Sequence, residues 1–321
     1  MTRPAQEQTV DIKQRFFRFN TLATFLIAAV IFYIFFTRFD STETISIIKN
    51  SNLLLIILGI IVFYGLIPLR GYRWRDLLIE SNISLPTMLL TRIYFLAFFV
   101  NSILPARIGD IYRAYLLKKK QNISFSLSIG VLFSERIFDL ASTALLVLIS
   151  GYFYIGLISE EYHNYILTGL IIIGGIVLAF AVLSWRSKWL LYVLPRKFHK
   201  HFESFSKGIF RSPVKIPIIL SESLIIWLSE AARFYFIAWA LGCRVDFLLA
   251  VFISQASLII MSLPLTPAGL GLVELFMFAA LLPAGLTNET AAAIIIADRL
   301  ISYWLVIILG GLHYIFSPRY R

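Results

Sequence analysis

The sequence predicts an all-α polytopic membrane protein, with six spanning helices and two re-entrant helical hairpins arranged as inverted repeats. Three observations lead there. The 321 residues are 59% hydrophobic and only 15% charged, with a mean hydropathy of +0.82, which is too apolar for a soluble domain with a polar shell. Several windows of about 17 to 25 mostly apolar residues have the length a helix needs to cross the hydrocarbon. The net charge of +11 is carried largely by segments flanking those windows, so anionic headgroups, not nucleic acid, account for the basic excess.

The N-terminal arm, 1–17, is polar and has no small-residue cleavage site after its first apolar stretch, so the first helix is expected to act as its own insertion signal. Spans are expected near 18–37, 53–69, 125–150, 166–184, 216–241 and 291–313. Arg3, Lys13, Arg15 and Arg18 lie in or beside the arm; Arg70, Arg73 and Arg75 fall in 70–86; 185–215 carries eight basic residues. Segment 151–165, in contrast, has Glu160 and Glu161 and no Lys or Arg. The basic segments are expected in the cytoplasm and the acidic one outside.

A simple crossing at 87–104 would put the basic 105–124 outside and invert every later loop against that rule. A hairpin over 87–117 that enters from the cytoplasm and returns to it keeps Lys118, Lys119 and Lys120 inside. The same argument makes 247–283 a hairpin entered from outside, and leaves both termini, including the 314–321 tail with Arg319 and Arg321, in the cytoplasm. Non-helical backbone at membrane depth is tolerated only inside protein or beside water, so the hairpin tips should meet a cavity. Pro105 and Gly109 in the first tip, and Pro267, Gly269 and Gly271 in the second, are expected to make the turns.

The order helix, helix, hairpin, helix then covers 18–150 and again 166–313, with the basic 185–215 read as an interfacial segment. Three crossings per half give the halves opposite orientation. "PARIGD" at 105–110 resembles "PAGLGLVE" at 267–274, and "ERI" at 135–137 resembles "DRL" at 298–300. Pro105 to Arg136 spans 31 residues and Pro267 to Arg299 spans 32, so both matches fall in register.

Charges inside the spans carry the functional argument, because each costs about 2.5 to 3.5 kcal/mol at a helix centre unless paired or hydrated. The candidate substrate-binding residues are Arg107, Asp110, Arg113, Glu135, Arg136, Asp139, Glu230, Arg233, Glu274, Asp298 and Arg299. A plainer reading makes them ion pairs that tie helices together, with Arg113 at an anchoring edge. Their arginines suit a phosphate or phosphodiester, which a guanidinium binds with two hydrogen bonds. Free amides at the start of a returning half-helix favour the same anion. No cofactor motif, nucleophile with its base or zinc-protease signature is present. Cys243 is the single cysteine, and His199 and His201 read as surface residues, so no metal site is expected.

"LPARIGDIYRAYLLKK", "SERIFDL", "SLPLTPAGLGLVELFMFAALLPAGL" and "ADRLISYW" resemble the flippase-like membrane family that includes the membrane region of lysylphosphatidylglycerol synthases, the multiple peptide resistance factors. The likeness runs over roughly 18–313. Pro105, Arg107, Gly109 and Asp110 match the first motif; Pro267, Gly269, Gly271 and Glu274 match the second. The resemblance implies a lipid translocase of a prokaryotic inner membrane. The aminoacyltransferase domain that follows the membrane region in the synthases is absent from this sequence, so anionic phospholipid, polyprenyl-phosphate and glycolipid all remain open as cargo. The leading expectation is a flippase for a phosphate-bearing lipid. The alternatives are a membrane enzyme of lipid-linked sugar metabolism and a noncatalytic partner of a glycosyltransferase or lipid-modifying enzyme.

Overall fold

A computed structural model describes residues 33, 37, 39–104, 107–154, 175, 199–209, 212–262 and 266–317. The expected spans at 18–37 and 166–184, and the turn residue Pro105, therefore lie outside the described residues, apart from isolated positions. Among the described residues every regular element is helical. Three helices among the described residues are long and apolar enough to cross a membrane: Leu53–Ile79, Phe125–Tyr154 and Asn288–Phe316.

The chain enters through α1 (Ser41–Lys49), a short helix the sequence reading did not foresee, whose cap is Asp40 accepting from the Thr42 N–H at 2.7 Å. Next, α2 (Leu53–Gly65) and α3 (Ile67–Ile79) form one 27-residue rod. Pro68 sits in the first turn of α3, where its missing N–H interrupts nothing. This corrects the expected span of 53–69. Because the helix runs on to Ile79, Arg70 and Arg73 are buried helical residues and not members of a cytoplasmic loop.

The first hairpin is α4 (Thr87–Ile103) followed by α5 (Ile108–Gln121), and the second is α9 (Phe247–Ser262) followed by α10 (Leu272–Leu281). Between them come α6 (Phe125–Tyr154), α7 (His199–Gly208) and α8 (Ile216–Ala240). The chain closes with α11 (Asn288–Arg299), one π-helical turn at Leu300–Trp304, and α12 (Leu305–Phe316). Helix α8 packs along α2 and α9, α6 packs on α7 and α9, and α4 packs between α3, α5 and α12.

Polar contacts gather at the two ends of this bundle. At one end Lys215 pairs with Glu80 at 2.6 Å, Ser81 donates to the Lys207 carbonyl, Ser124 bonds Ser204, and Arg75 donates to Thr87. The exposed Lys118–Lys120 close α5 just before Ser124. At the other end the Asn52 N–H donates to the Ala240 carbonyl, and Tyr154 donates to Asp246. The described part of the 185–215 segment, α7, is fixed to the start of α6 by a glycine crossing. A Cβ on Gly130 would lie 2.1 Å from the Phe205 carbonyl oxygen, and one on Gly208 would lie 2.1 Å from that of Leu127.

Candidate functional site

A cavity opens where the two hairpin tips meet the long helices, with about 1170 Å³ of atom-free space including its mouth. Nine charged side chains line it, all from mid-helix or tip positions. Arg107 and Asp110 come from the first tip, Arg113 from α5, Arg70 from α3, Arg136 from α6, Glu230 and Arg233 from α8, and Asp298 and Arg299 from α11. Aromatic residues Phe63, Tyr94, Trp227 and Tyr303 form much of the remaining wall.

The tips owe their shape to left-handed backbone. Arg107 has φ 52° and ψ 40°, and in the second tip Ala268, Gly269 and Gly271 have φ of 47°, 70° and 86°. The turn role expected of Gly109 is corrected: it lies inside α5, without positive φ. Its service is closeness, since a Cβ there would sit 2.0 Å from the Ala97 carbonyl oxygen. Asn101 Oδ1 accepts from the Gly109 N–H at 2.7 Å, which satisfies a donor that the start of α5 leaves open. In the second tip Glu274 does this itself, accepting from the Gly271 N–H at 2.6 Å.

Around the first tip the charges interlock. Arg73, fully buried, donates to Asp139 and to Ser223 at 2.7 Å each, and reaches Glu135 at 3.3 Å. Arg113, also fully buried, pairs with Glu135 at 3.1 Å and Asp110 at 3.2 Å, and lies over the rings of Trp74 and Tyr94. Arg136 reaches three carboxylates: Asp139 at 3.0 Å, Asp110 at 3.3 Å and Glu135 at 3.6 Å. Trp227 donates to Asp139 at 3.0 Å. Arg113 therefore belongs to the interior, and the interfacial anchoring considered for it is ruled out.

Around the second tip the same scheme recurs with fewer members. Arg233 of α8 lies 3.1 Å from Asp298, as Arg73 of α3 meets Glu135, and Arg299 lies 2.7 Å from Glu274, as Arg136 meets Asp110. These two pairs are close in distance but out of line for hydrogen bonding. Nε and Nη2 of Arg299, Asp298 Oδ1 and Glu274 Oε1 consequently have no hydrogen-bond partner among the described residues. The two halves join through Arg70 and Glu230, 2.5 Å apart and 160 residues apart in sequence.

Of the candidate residues named from sequence, Arg107, Asp110, Arg113, Arg136, Glu230, Arg233, Asp298 and Arg299 line the cavity. Glu135, Asp139 and Glu274 are buried one layer behind, where they hold the lining arginines in place. Arg70, Arg73, Trp227, Tyr94 and Thr266 were missed. Arg70 and Arg73 had a usable signal: they are three apart on one helix, as Glu230 and Arg233 are. Among the described residues there is no cluster of groups able to hold a metal ion.

This fold and this buried cluster define a multi-pass integral membrane protein. The profile of the lysylphosphatidylglycerol synthase TM region matches residues 21–310, and the chain belongs to that family. It is 36% identical over 224 residues to a UPF0104 membrane protein of Methanocaldococcus jannaschii, covering 69% of this chain and 95% of that one. A UPF0104 membrane protein of Pyrococcus horikoshii is 23% identical over 298 residues, covering 84% and 89%. Glycosyltransferase AglD of Haloferax volcanii is 30% identical over 136 residues, 42% of this chain and 22% of that protein.

Proposed function

We propose that the protein is a flippase that moves a phosphate-bearing lipid between leaflets through the cavity between two inverted repeats. One observation carries this reading. At the depth of the mid-helix charges the cavity wall presents guanidinium groups that the protein does not fully bond: Arg107, without a side-chain hydrogen bond or ion pair among the described residues, and Nη2 of Arg299. Guanidinium donors facing an opening suit phosphate oxygens, which accept two parallel hydrogen bonds from one group.

The topology of six spans and two re-entrant hairpins is part of the same proposal. Helices α9 and α10 contain 16 and 10 residues, about 24 and 15 Å at the usual rise, shorter than the hydrocarbon is thick. Their connecting tip reaches Arg299, the twelfth residue of a 29-residue rod. The first tip reaches Arg136, the twelfth residue of a 30-residue helix. Both tips thus end near mid-helix charges, as half-membrane hairpins do. The ends of the first hairpin lie among the basic contacts around Lys215 and Lys207, supporting a cytoplasmic entry. The basic loop argument now rests on Arg75, Lys118–Lys120, Lys207 and Lys215, because Arg70 and Arg73 no longer contribute to it. A location in a prokaryotic inner (plasma) membrane, with cytoplasmic termini, belongs to the same proposal.

Reconstitution into vesicles carrying a headgroup-labelled anionic phospholipid, with the outer-leaflet label quenched chemically, tests the flippase reading. Labelled lipid should become accessible faster than in protein-free vesicles, and Arg299→Gln should slow this at least tenfold. Equal rates with and without protein would overturn it.

The partial match to a glycosyltransferase favours a second reading, in which the bundle serves lipid-linked sugar metabolism as an enzyme or as a noncatalytic partner. Mass analysis of the lipid after incubation separates them: movement leaves its mass unchanged, whereas catalysis does not.

A further inference from the structure

The pairing within the buried cluster sets the charge of what the cavity can take. Six of its arginines can each be assigned a carboxylate of their own: Arg70 with Glu230, Arg73 with Asp139, Arg113 with Glu135, Arg136 with Asp110, Arg233 with Asp298, and Arg299 with Glu274. Arg107 is left over. It lines the cavity at the first tip and makes no side-chain hydrogen bond or ion pair among the described residues. Glu222, the other buried carboxylate of α8, is outside the lining and forms no ion pair with the cluster. Among the described residues the lined space therefore carries one positive charge more than its paired carboxylates balance, at membrane depth where such a charge is costly.

A second set of observations points to where the missing anion goes. Arg299 Nη2 and Thr266 Oγ1 are donors without partners among the described residues; both residues are buried, the Arg299 side chain to nine-tenths, and both line the same cavity. Such groups are costly unless a ligand completes them. Beside them runs a line of hydroxyls from α9. Ser254, Ser257 and Ser262 donate to the carbonyls of Val251, Ile253 and Ile259 on their own helix; Ser254 also accepts from Gln255, while Ser257 and Ser262 keep oxygen lone pairs to accept from a ligand. Tyr94, Trp227 and Tyr303 add flat apolar faces.

We infer that the cavity takes a headgroup with a single negative charge, a phosphodiester that also bears hydroxyl groups, held between Arg107 and Arg299. The inference rests on the cavity being the lipid site, and it narrows the phosphate-bearing class. A phosphomonoester carries about −1.5 to −2 at neutral pH and overshoots the one charge available. A zwitterionic headgroup brings no net charge, and a cationic aminoacyl headgroup adds to the excess.

The test is binding of water-soluble dihexanoyl lipids to the full chain in neutral detergent, followed by calorimetry. Dihexanoyl-phosphatidylglycerol, a monoanionic diester with two hydroxyls, should bind at least tenfold tighter than the phosphatidic acid and the phosphatidylcholine of the same chain length. Dihexanoyl-phosphatidylethanol, with the same charge and no hydroxyl, should bind at least threefold weaker than the glycerol lipid. Arg107→Gln should remove the preference for the anion over phosphatidylcholine, and Arg107→Lys should retain it. Equal or tighter binding of the phosphatidic acid or phosphatidylcholine, or an undiminished anion preference in Arg107→Gln, would overturn the charge assignment. Phosphatidylethanol binding as tightly as the glycerol lipid would overturn the hydroxyl requirement. Binding is read here without leaflet crossing, so charge-selective binding with no movement in vesicles would sink the flippase reading alone. Zwitterionic lipid moving as fast as anionic lipid would sink the charge assignment alone.

Discussion

The charged clusters around the two hairpin tips are built to one plan and finished differently. At the first, Arg73, Arg113 and Arg136 share Asp110, Glu135 and Asp139 in a web of aligned hydrogen bonds, and Arg73 and Arg113 are wholly buried. At the second, with Glu274 set against Asp110 and Arg299 against Arg136, Met277 and Ser302 stand in the places of Arg113 and Asp139, and the remaining pairs are close but poorly aligned. The first web leaves only the Nε donors of Arg73, Arg113 and Arg136 without partners while bonding each of these arginines more than once, and so gains rigidity, whereas at the second Arg299 lacks partners at both Nε and Nη2 and keeps capacity for a ligand. The difference teaches that burial of charge alone does not mark a binding residue. Arg136 is spoken for by three carboxylates, and Arg299 is not.

The comparison can be broken most forcefully at its rigid side. Arg73→Met leaves Asp139 and Glu135 short of a buried partner and should cost about 3 to 5 kcal/mol, seen as a large fall in the detergent melting temperature or as loss of folded protein. Adding Asp139→Leu should recover part of that loss; no recovery would mean that the charges matter for more than pairing. Gly109→Ala forces a methyl against the Ala97 carbonyl and should cost about 1 to 3 kcal/mol, measured by the same melt, since α4 and α5 cannot stay in contact unchanged. A Gly109→Ala protein as stable as the wild type would refute the close approach.

The open side is sharpened by making it resemble the closed one. Ser302→Asp restores a carboxylate one helical turn beyond Asp298 and beside Arg299, where it should occupy the free guanidinium face. Binding of an anionic headgroup should fall more than tenfold with the melting temperature within a few degrees of wild type. The smallest effect is expected outside both clusters. Lys215 pairs with Glu80 in a partly exposed position, so Lys215→Ala should cost no more than about 1 kcal/mol and leave lipid binding untouched.

Much of this plan was legible from sequence. The repeated "PARIGD" and "PAGLGLVE", each followed at similar distance by an acid and an arginine, pointed to both tips and put Arg136 and Arg299 in equivalent places, whereas the pairing of Asp110 with Arg136 and of Glu274 with Arg299 came only with the structure. Arg70 and Arg73 were not read as core residues despite their helical spacing, because a proline and three nearby arginines after an apolar run look like the end of a span. Pro68 in fact sits in a first turn, where a helix accepts it. The turn role given to Gly109 failed for a related reason: glycine serves both positive φ and close packing, and sequence does not separate them. That the left-handed residue of the first tip is Arg107 follows from packing around the tip and has no signal in the residue type. Which carboxylates face the cavity and which stand behind it depends on helix rotation, and that is set by neighbours that a single sequence does not name.

Mass spectrometry of the lipids retained by gently purified protein tests the central claim most directly, comparing wild type with Arg107→Gln, Arg299→Gln and the exposed control Lys118→Gln. The account predicts a monoanionic phosphodiester lipid enriched over bulk membrane in wild type and in the Lys118 variant, and depleted in both cavity variants at equal yield of folded protein. The same bulk lipid composition in all four would contradict it and return Arg107 and Arg299 to a purely structural role.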